Sequence, residues 1–150
     1  MKKNENKLIY LDHNATTPID TDAAEVMILY IRREFGNPSS GYELGLRAKE
    51  AVEKARQEVS DLINCKTSEL IFTSGGSESN NMVLKGITDL DSLKEKHILT
   101  SSIEHPSVTE VCKYLESKGF RISYIPVDEF GLIQLEALEA AITSDTVLIS

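Results

Sequence analysis

From His97 to Ser150, short apolar runs alternate with helical patterns, and that rhythm leaves few folds open. His97–Thr100 reads as a strand. Pro106–Ser117 reads as a helix, with proline at its first position and Gly119 as its stop. Phe120–Val127 is a second strand, Asp128–Gly131 a turn, Gln134–Ile142 a helix, and Thr146–Ile149 the start of another strand. Strand and helix in this alternation predict an α/β fold, a mostly parallel sheet flanked by helices. The last run, Thr146–Ser150, is strand-like and then ends. A buried strand usually feeds a loop and a further element, so the fold is expected to be truncated.

The first third is more helical. Leu8–Leu11 reads as a short strand leading into the polar loop His13–Pro18. Asp22–Phe35 reads as a helix in which Asp22 and Glu25 resemble a capping box. Gly36–Gly41 is a loop by composition. A long helix follows over Leu44–Asn64, since Ala48, Ala51, Val52, Ala55, Val59, Leu62 and Ile63 recur at helical spacing. Leu70–Thr73 reads as a strand entering Ser74-Gly75-Gly76-Ser77, after which Glu78–Lys85 continues as a helix.

A net charge of -8 gives a polyanion no counterion release to exploit, so nucleic acid is not an expected partner. No apolar stretch approaches the length of a membrane span, and Asp12 and His13 interrupt the opening run too early for a signal peptide. The default location is the cytoplasm. Cys65 and Cys112 form neither a CxxC pair nor a disulfide framework, and no metal site is expected. Cys112 shares a helical stripe with Val108, Val111 and Leu115, a core pattern. Cys65 has no histidine beside it, so both thiols read as structural.

The stretch Phe72–Asn81, FTSGGSESNN, carries the most chemistry. A strand ends, two glycines turn the chain, and a helix begins. The first amides of a helix have no internal partner, and the helix dipole favours an anion there. The hydroxyls of Ser74 and Ser77 could add donors. From the residues alone, this turn is as readily a phosphate cradle as an ordinary helix start with Ser77 as its cap. His105, just before Pro106, is on its own more readily a helix cap than a catalytic group.

Four ordered blocks tip both readings. FTSGGSESNN resembles the cofactor-phosphate motif of cysteine desulfurases, in the class V aminotransferase group of pyridoxal-phosphate enzymes. LIYLDHNATTP resembles the start of that family, FGNPSSGYELG its Gly-Asn-Pro-Ser-Ser loop, and TSSIEHPSV the segment bearing its ring-stacking histidine. The resemblance implies the N-terminal part of a fold type I large domain: residues 1–21 a segment of the small domain, and residues 22–150 an incomplete domain that binds pyridoxal 5'-phosphate. It implies that Gly76 and Ser77 bind the coenzyme phosphate and that His105 stacks on its ring and takes a catalytic part in moving protons. It also places Asn14, Ala15 and Thr16 on the substrate side.

The function so implied is desulfuration of L-cysteine to L-alanine. The sulfur would pass through an enzyme persulfide to an acceptor or iron–sulfur scaffold, in a homodimer. Selenocysteine lyase shares all four blocks. A reading from another class is a non-catalytic α/β remnant that binds phosphate or dimerises. The chain departs from the family pattern at Tyr42, where a histidine is common, and at Ser77, where threonine is usual but the hydroxyl is kept. The family's Schiff-base lysine, the aspartate facing the pyridine nitrogen, the arginine that grips the substrate carboxylate and the sulfur-carrying cysteine have no counterpart in these 150 residues. Lys85 and Lys113 sit on helix patterns and match no such role. Alone, the chain is expected to be inactive and not to hold the coenzyme covalently.

Overall fold

The computed structural model describes residues 9–88 and 96–150. The chain divides into two compact units, Met1–Ile71 and Phe72–Ser150.

In the first unit the expected opening strand does not form among the described residues. Leu8 lies outside the described residues, and Ile9, Tyr10 and Leu11 have no ladder partner. The first helix, α1, spans Thr21–Arg32. Its cap is Asp20, two residues ahead of the expected Asp22. The Asp20 carboxylate accepts from the amides of Asp22 (3.0 Å) and Ala23 (3.3 Å), so Asp22 falls inside the first turn. α2 spans Glu43–Ile63, close to the expected limits. It stops at Asn64, which adopts a left-handed conformation (φ 56°, ψ 49°), and the Cys65 amide returns to the Ser60 carbonyl at 2.9 Å. Asparagine is one of the few residues that tolerate this geometry at a helix end.

The loop between α1 and α2 is folded tightly onto the start of α2. Asn37 Oδ1 accepts from the Ser39 amide and its carbonyl from the Ser40 amide, each at 2.9 Å. A Cβ on Gly36 would lie 2.3 Å from the Leu44 carbonyl oxygen, and one on Gly45 would lie 2.4 Å from that of Ser40. Both glycines are therefore required by backbone approach. A single 3-10 turn, Thr67–Glu69, follows α2. The strand expected over Leu70–Thr73 is not a strand. The Leu70 carbonyl accepts from Arg56 Nη1 at 2.7 Å, and no described strand lies alongside to form a ladder. Apolar residues can favour extended backbone, but a strand exists only where a neighbour supplies the other half of its hydrogen bonds.

The second unit contains the parallel sheet. Helix α3 spans Gly76–Thr88, starting two residues earlier than expected. Next come β1 (His97–Ser101), α4 (Pro106–Glu116), β2 (Arg121–Ile125), α5 (Leu135–Ala141) and β3 (Thr146–Ile149). The strand order is β2-β1-β3, all parallel, with His97 opposite both Arg121 and Thr146. β1 is central and buried along its whole length.

The core joins Leu84 of α3, Ile98 of β1, Val108, Val111, Cys112 and Leu115 of α4, and Phe120. The α4 positions repeat at intervals of three and four, which brings them to one face. Each large aliphatic side chain buried in this way contributes about 1.5–3 kcal/mol relative to exposure. Gly119 takes φ +95° after α4, the left-handed geometry expected of a helix stop, and Gly131 takes φ +82° in the turn after β2. In that turn Asp128 Oδ1 accepts from the amides of Phe130 and Leu132, both at 2.9 Å.

Candidate functional site

Two loop-to-helix junctions of the second unit carry the candidate residues. The first opens α3. The Ser79 amide bonds the Gly75 carbonyl at 3.1 Å, the first regular turn of the helix. The amides of Gly76, Ser77 and Glu78 find no acceptor among the described residues, and neither does the Ser77 hydroxyl. These are the orphan donors that every helix start leaves. A Cβ added to Gly75 or Gly76 would meet nothing within 4 Å, in contrast to Gly36 and Gly45. Packing therefore does not demand glycine at either position, although the φ of +159° at Gly75 favours it there, and the space in front of these residues is open.

Ser74 does not join this donor set. Its amide and its hydroxyl both donate to Glu78 Oε2, each at 2.6 Å. The expectation that Ser74 offers a donor beside Ser77 is thus corrected. The carboxylate reaches back along the turn and takes both Ser74 hydrogens. Those two bonds, the hydroxyl's first, hold the Glu78 carboxyl below its ordinary range. On the other side of the turn, Thr73 Oγ1 and Ser79 Oγ lie 2.7 Å apart and tie the chain before Gly75 to the chain after Gly76.

The second junction follows the carboxyl end of β1, the end at which open parallel sheets bind their ligands. Ser101 donates to Glu104 Oε1 at 3.0 Å, and His105 then caps α4. The Ser107 amide donates to His105 Nδ1 at 3.1 Å, and the Ser107 hydroxyl lies 2.9 Å from the same nitrogen. The Ser107 hydroxyl in turn accepts from Asn80 Nδ2 at 2.8 Å. Asn80 belongs to α3, four residues beyond Gly76, so a hydrogen-bonded chain runs from the imidazole to the helix that opens at the glycine turn. His105 is a cap, and its exposed ring remains available to a ligand.

Asn80 and Ser107 were missed by the sequence reading. The only signals were a polar side chain in the first turns of α3 and a serine right after His-Pro. Their pairing across 27 residues is a tertiary event. Asn14, Ala15 and Thr16 lie in an exposed turn of the first unit, where the Ala15 amide bonds the Asp12 carbonyl at 3.1 Å. Tyr42 precedes α2, exposed and without a capping bond. Cys112 is fully buried in the core. Burial pushes its thiol up, and the Glu116 and Glu104 carboxylates add to the effect, which is the opposite of what a nucleophile needs. Among the described residues no cluster of metal-ligating side chains exists, and no helix is long and apolar enough to cross a membrane.

Comparison with known proteins agrees with this architecture. The chain is 46% identical over 146 residues to the cysteine desulfurase IscS of Methanosarcina thermophila, covering 97% of this chain and 36% of that protein. Among solved structures it is similar to a NifS-like protein, with TM-score 0.87 and 40% identity over 94% of this chain and 39% of the other. It is also similar to SspA in complex with cysteine, with TM-score 0.84 and 38% identity over 93% and 40%. The chain therefore spans little more than a third of the length of the curated relatives it matches. The aminotransferase class-V model matches residues 9–150, nearly the whole sequence, and the chain belongs to the aminotransferase class-V family.

Proposed function

We propose that this chain supplies the phosphate-holding and ring-facing part of a pyridoxal 5'-phosphate-dependent cysteine desulfurase. The observation that carries the reading is the donor set opening α3: partnerless amides at Gly76 and Ser77, a free Ser77 hydroxyl, and open space where glycine side chains would otherwise stand. The residues present fit a phosphate dianion. Backbone donors at a helix start and one hydroxyl are the chemistry such a group requires. Pyridoxal phosphate, when bound, supplies an electron sink for an amino-acid substrate.

In this reading the chain's own residues bind and orient. Gly76 and Ser77 hold the phosphate through their amides, and Ser77 adds its hydroxyl. Glu78 keeps Ser74 engaged, so the turn presents one defined set of donors. His105, at the β1–α4 junction, would face the ring, with Nε2 as the atom that would hold a proton. Asn14, Ala15 and Thr16 lie on the substrate side, residues 1–21 belong to the small domain, and residues 22–150 to the large domain. The substrate proposed is L-cysteine, with sulfur passing to an acceptor or iron–sulfur scaffold protein and the whole enzyme working as a homodimer. The relatives' standing as cysteine desulfurases, and the cysteine in the SspA complex, support that substrate class.

The test is pyridoxal phosphate binding, followed by absorbance titration. Ser77→Ala removes one hydrogen bond to a charged group, about 1.5–3 kcal/mol, and should weaken affinity at least tenfold. Gly76→Pro deletes one amide hydrogen at the position where helices best accept proline, and should act in the same direction with α3 intact. Affinity unchanged in both variants, with normal circular dichroism, would remove the phosphate reading. Turnover of L-cysteine against L-selenocysteine in the full-length protein separates desulfurase from selenocysteine lyase.

A further inference from the structure

We propose that Asn80 and Ser107 are positioning residues that hold the His105 imidazole in a single tautomer and tie it to the opening turns of α3. The hydroxyl oxygen of Ser107 accepts from Asn80 Nδ2 at 2.8 Å. A hydroxyl that accepts on one side has its own hydrogen to place elsewhere, and His105 Nδ1 stands 2.9 Å away. The Ser107 amide aims at the same nitrogen from 3.1 Å. Two donors converge on Nδ1, so the ring's one proton is held on Nε2, the atom farther from the helix.

The geometry assigns the pair a role beyond capping. The cap by itself needs only the Ser107 amide. The hydroxyl and Asn80 add a second donor, and they join two helices that pack against each other. Asn80 and Ser107 are both half-buried, whereas His105 is exposed, so the bridge is the part of the network shielded from water. Without Asn80 the Ser107 hydroxyl is free to rotate. Without the Ser107 hydroxyl the ring keeps only the backbone amide's bond and can turn. This inference rests on the proposed function only where it takes His105 as the group that faces the coenzyme. The tautomer itself is a property of the protein alone.

Long-range proton–nitrogen NMR of the His105 ring near pH 8, on the full chain without coenzyme, tests it. The wild-type ring should carry its proton on Nε2. A net hydrogen bond contributes about 0.5–1.5 kcal/mol. Ser107→Ala and Asn80→Ala should therefore reduce the preference for Nε2–H by roughly two- to tenfold. Ser107→Thr, which keeps the hydroxyl, should retain it. Asn80→Asp guards against an unfolded variant. It keeps the shape but offers only acceptors, so it draws the Ser107 hydrogen away from His105 and should shift the ratio as alanine does. A ratio unmoved in Ser107→Ala and Asn80→Asp, or moved equally by Ser107→Thr, overturns the proposal. If the ratio shifts as expected while His105→Ala leaves pyridoxal phosphate affinity unchanged, the positioning role stands and the ring-facing role of His105 falls.

Discussion

Glu78 illustrates how one side chain decides what a turn offers. Its carboxylate takes the amide and hydroxyl of Ser74, leaving the donors at Gly76 and Ser77 as those that face outward. The Ser74 hydroxyl, then its amide, favour the ionised carboxyl and lower the pH at which it takes a proton. A group depressed in this way contributes while it is charged, and the contribution is lost as pH falls through its lowered folded-state value. The Ser74 amide resonance is therefore expected to titrate with a midpoint below 4.5, and Glu78→Gln should abolish that titration. A wild-type midpoint at or above 4.5 would contradict the clamp. The sequence showed a glutamate after Gly-Gly-Ser but not which hydrogens it would claim, because Ser74, four residues back, and the adjacent Ser77 and Ser79 all carry donors that one carboxylate could take.

At the level of elements, periodicity was a reliable guide wherever a helix packs by one face. α4 lies within a residue of its expected limits, and Val108, Val111, Cys112 and Leu115 are buried as their spacing implies. Cys112 should thus resist thiol reagents in the native state and react only on unfolding, whereas the partly exposed Cys65 should react at once. Rapid modification of both thiols in a native alkylation time course would contradict that placement. Strands were less legible. Phe120–Val127 shortened to Arg121–Ile125, and Leu70–Thr73 formed no strand at all. A helix closes its hydrogen bonds within its own segment, while a strand depends on a neighbour that local sequence does not name. The capping residue of α1 moved for a related reason. Asp20 and Asp22 both suit a cap, and the chain direction entering the helix selects between them.

Across the molecule, His97 shows what the sheet adds. It is buried at the start of β1, with Nδ1 3.0 Å from Thr146 Oγ1 of β3 and Nε2 2.8 Å from Ser123 Oγ of β2. One imidazole thus links all three strands of the sheet. Burial, first, and then the Arg121 guanidinium disfavour its protonated form; Asp145 opposes them more weakly. The unfolded chain takes up this proton near pH 6.5, before the folded chain does. Stability from this group is complete above that pH and declines as pH falls from there through the lower folded-state value. Urea midpoints at pH 7.5 and pH 5.5, about one unit either side of the ordinary histidine value, should differ in the wild type. In His97→Gln the overall midpoint should be lower and the pH dependence smaller. An equal slope in both proteins would show that His97 is not the titrating group. By itself, the order of residues determined the parallel α/β character, the helices with one apolar face, the glycine turn before α3 and the family resemblance, because each is written in local spacing or in short motifs. Only the tertiary structure decided that Leu70–Thr73 has no ladder, that Ser74 is claimed by Glu78, that His97 joins three strands, and that Asn80 reaches Ser107 beside His105. Those outcomes depend on which distant groups meet, and a hydrogen bond is settled by the partner that arrives within reach.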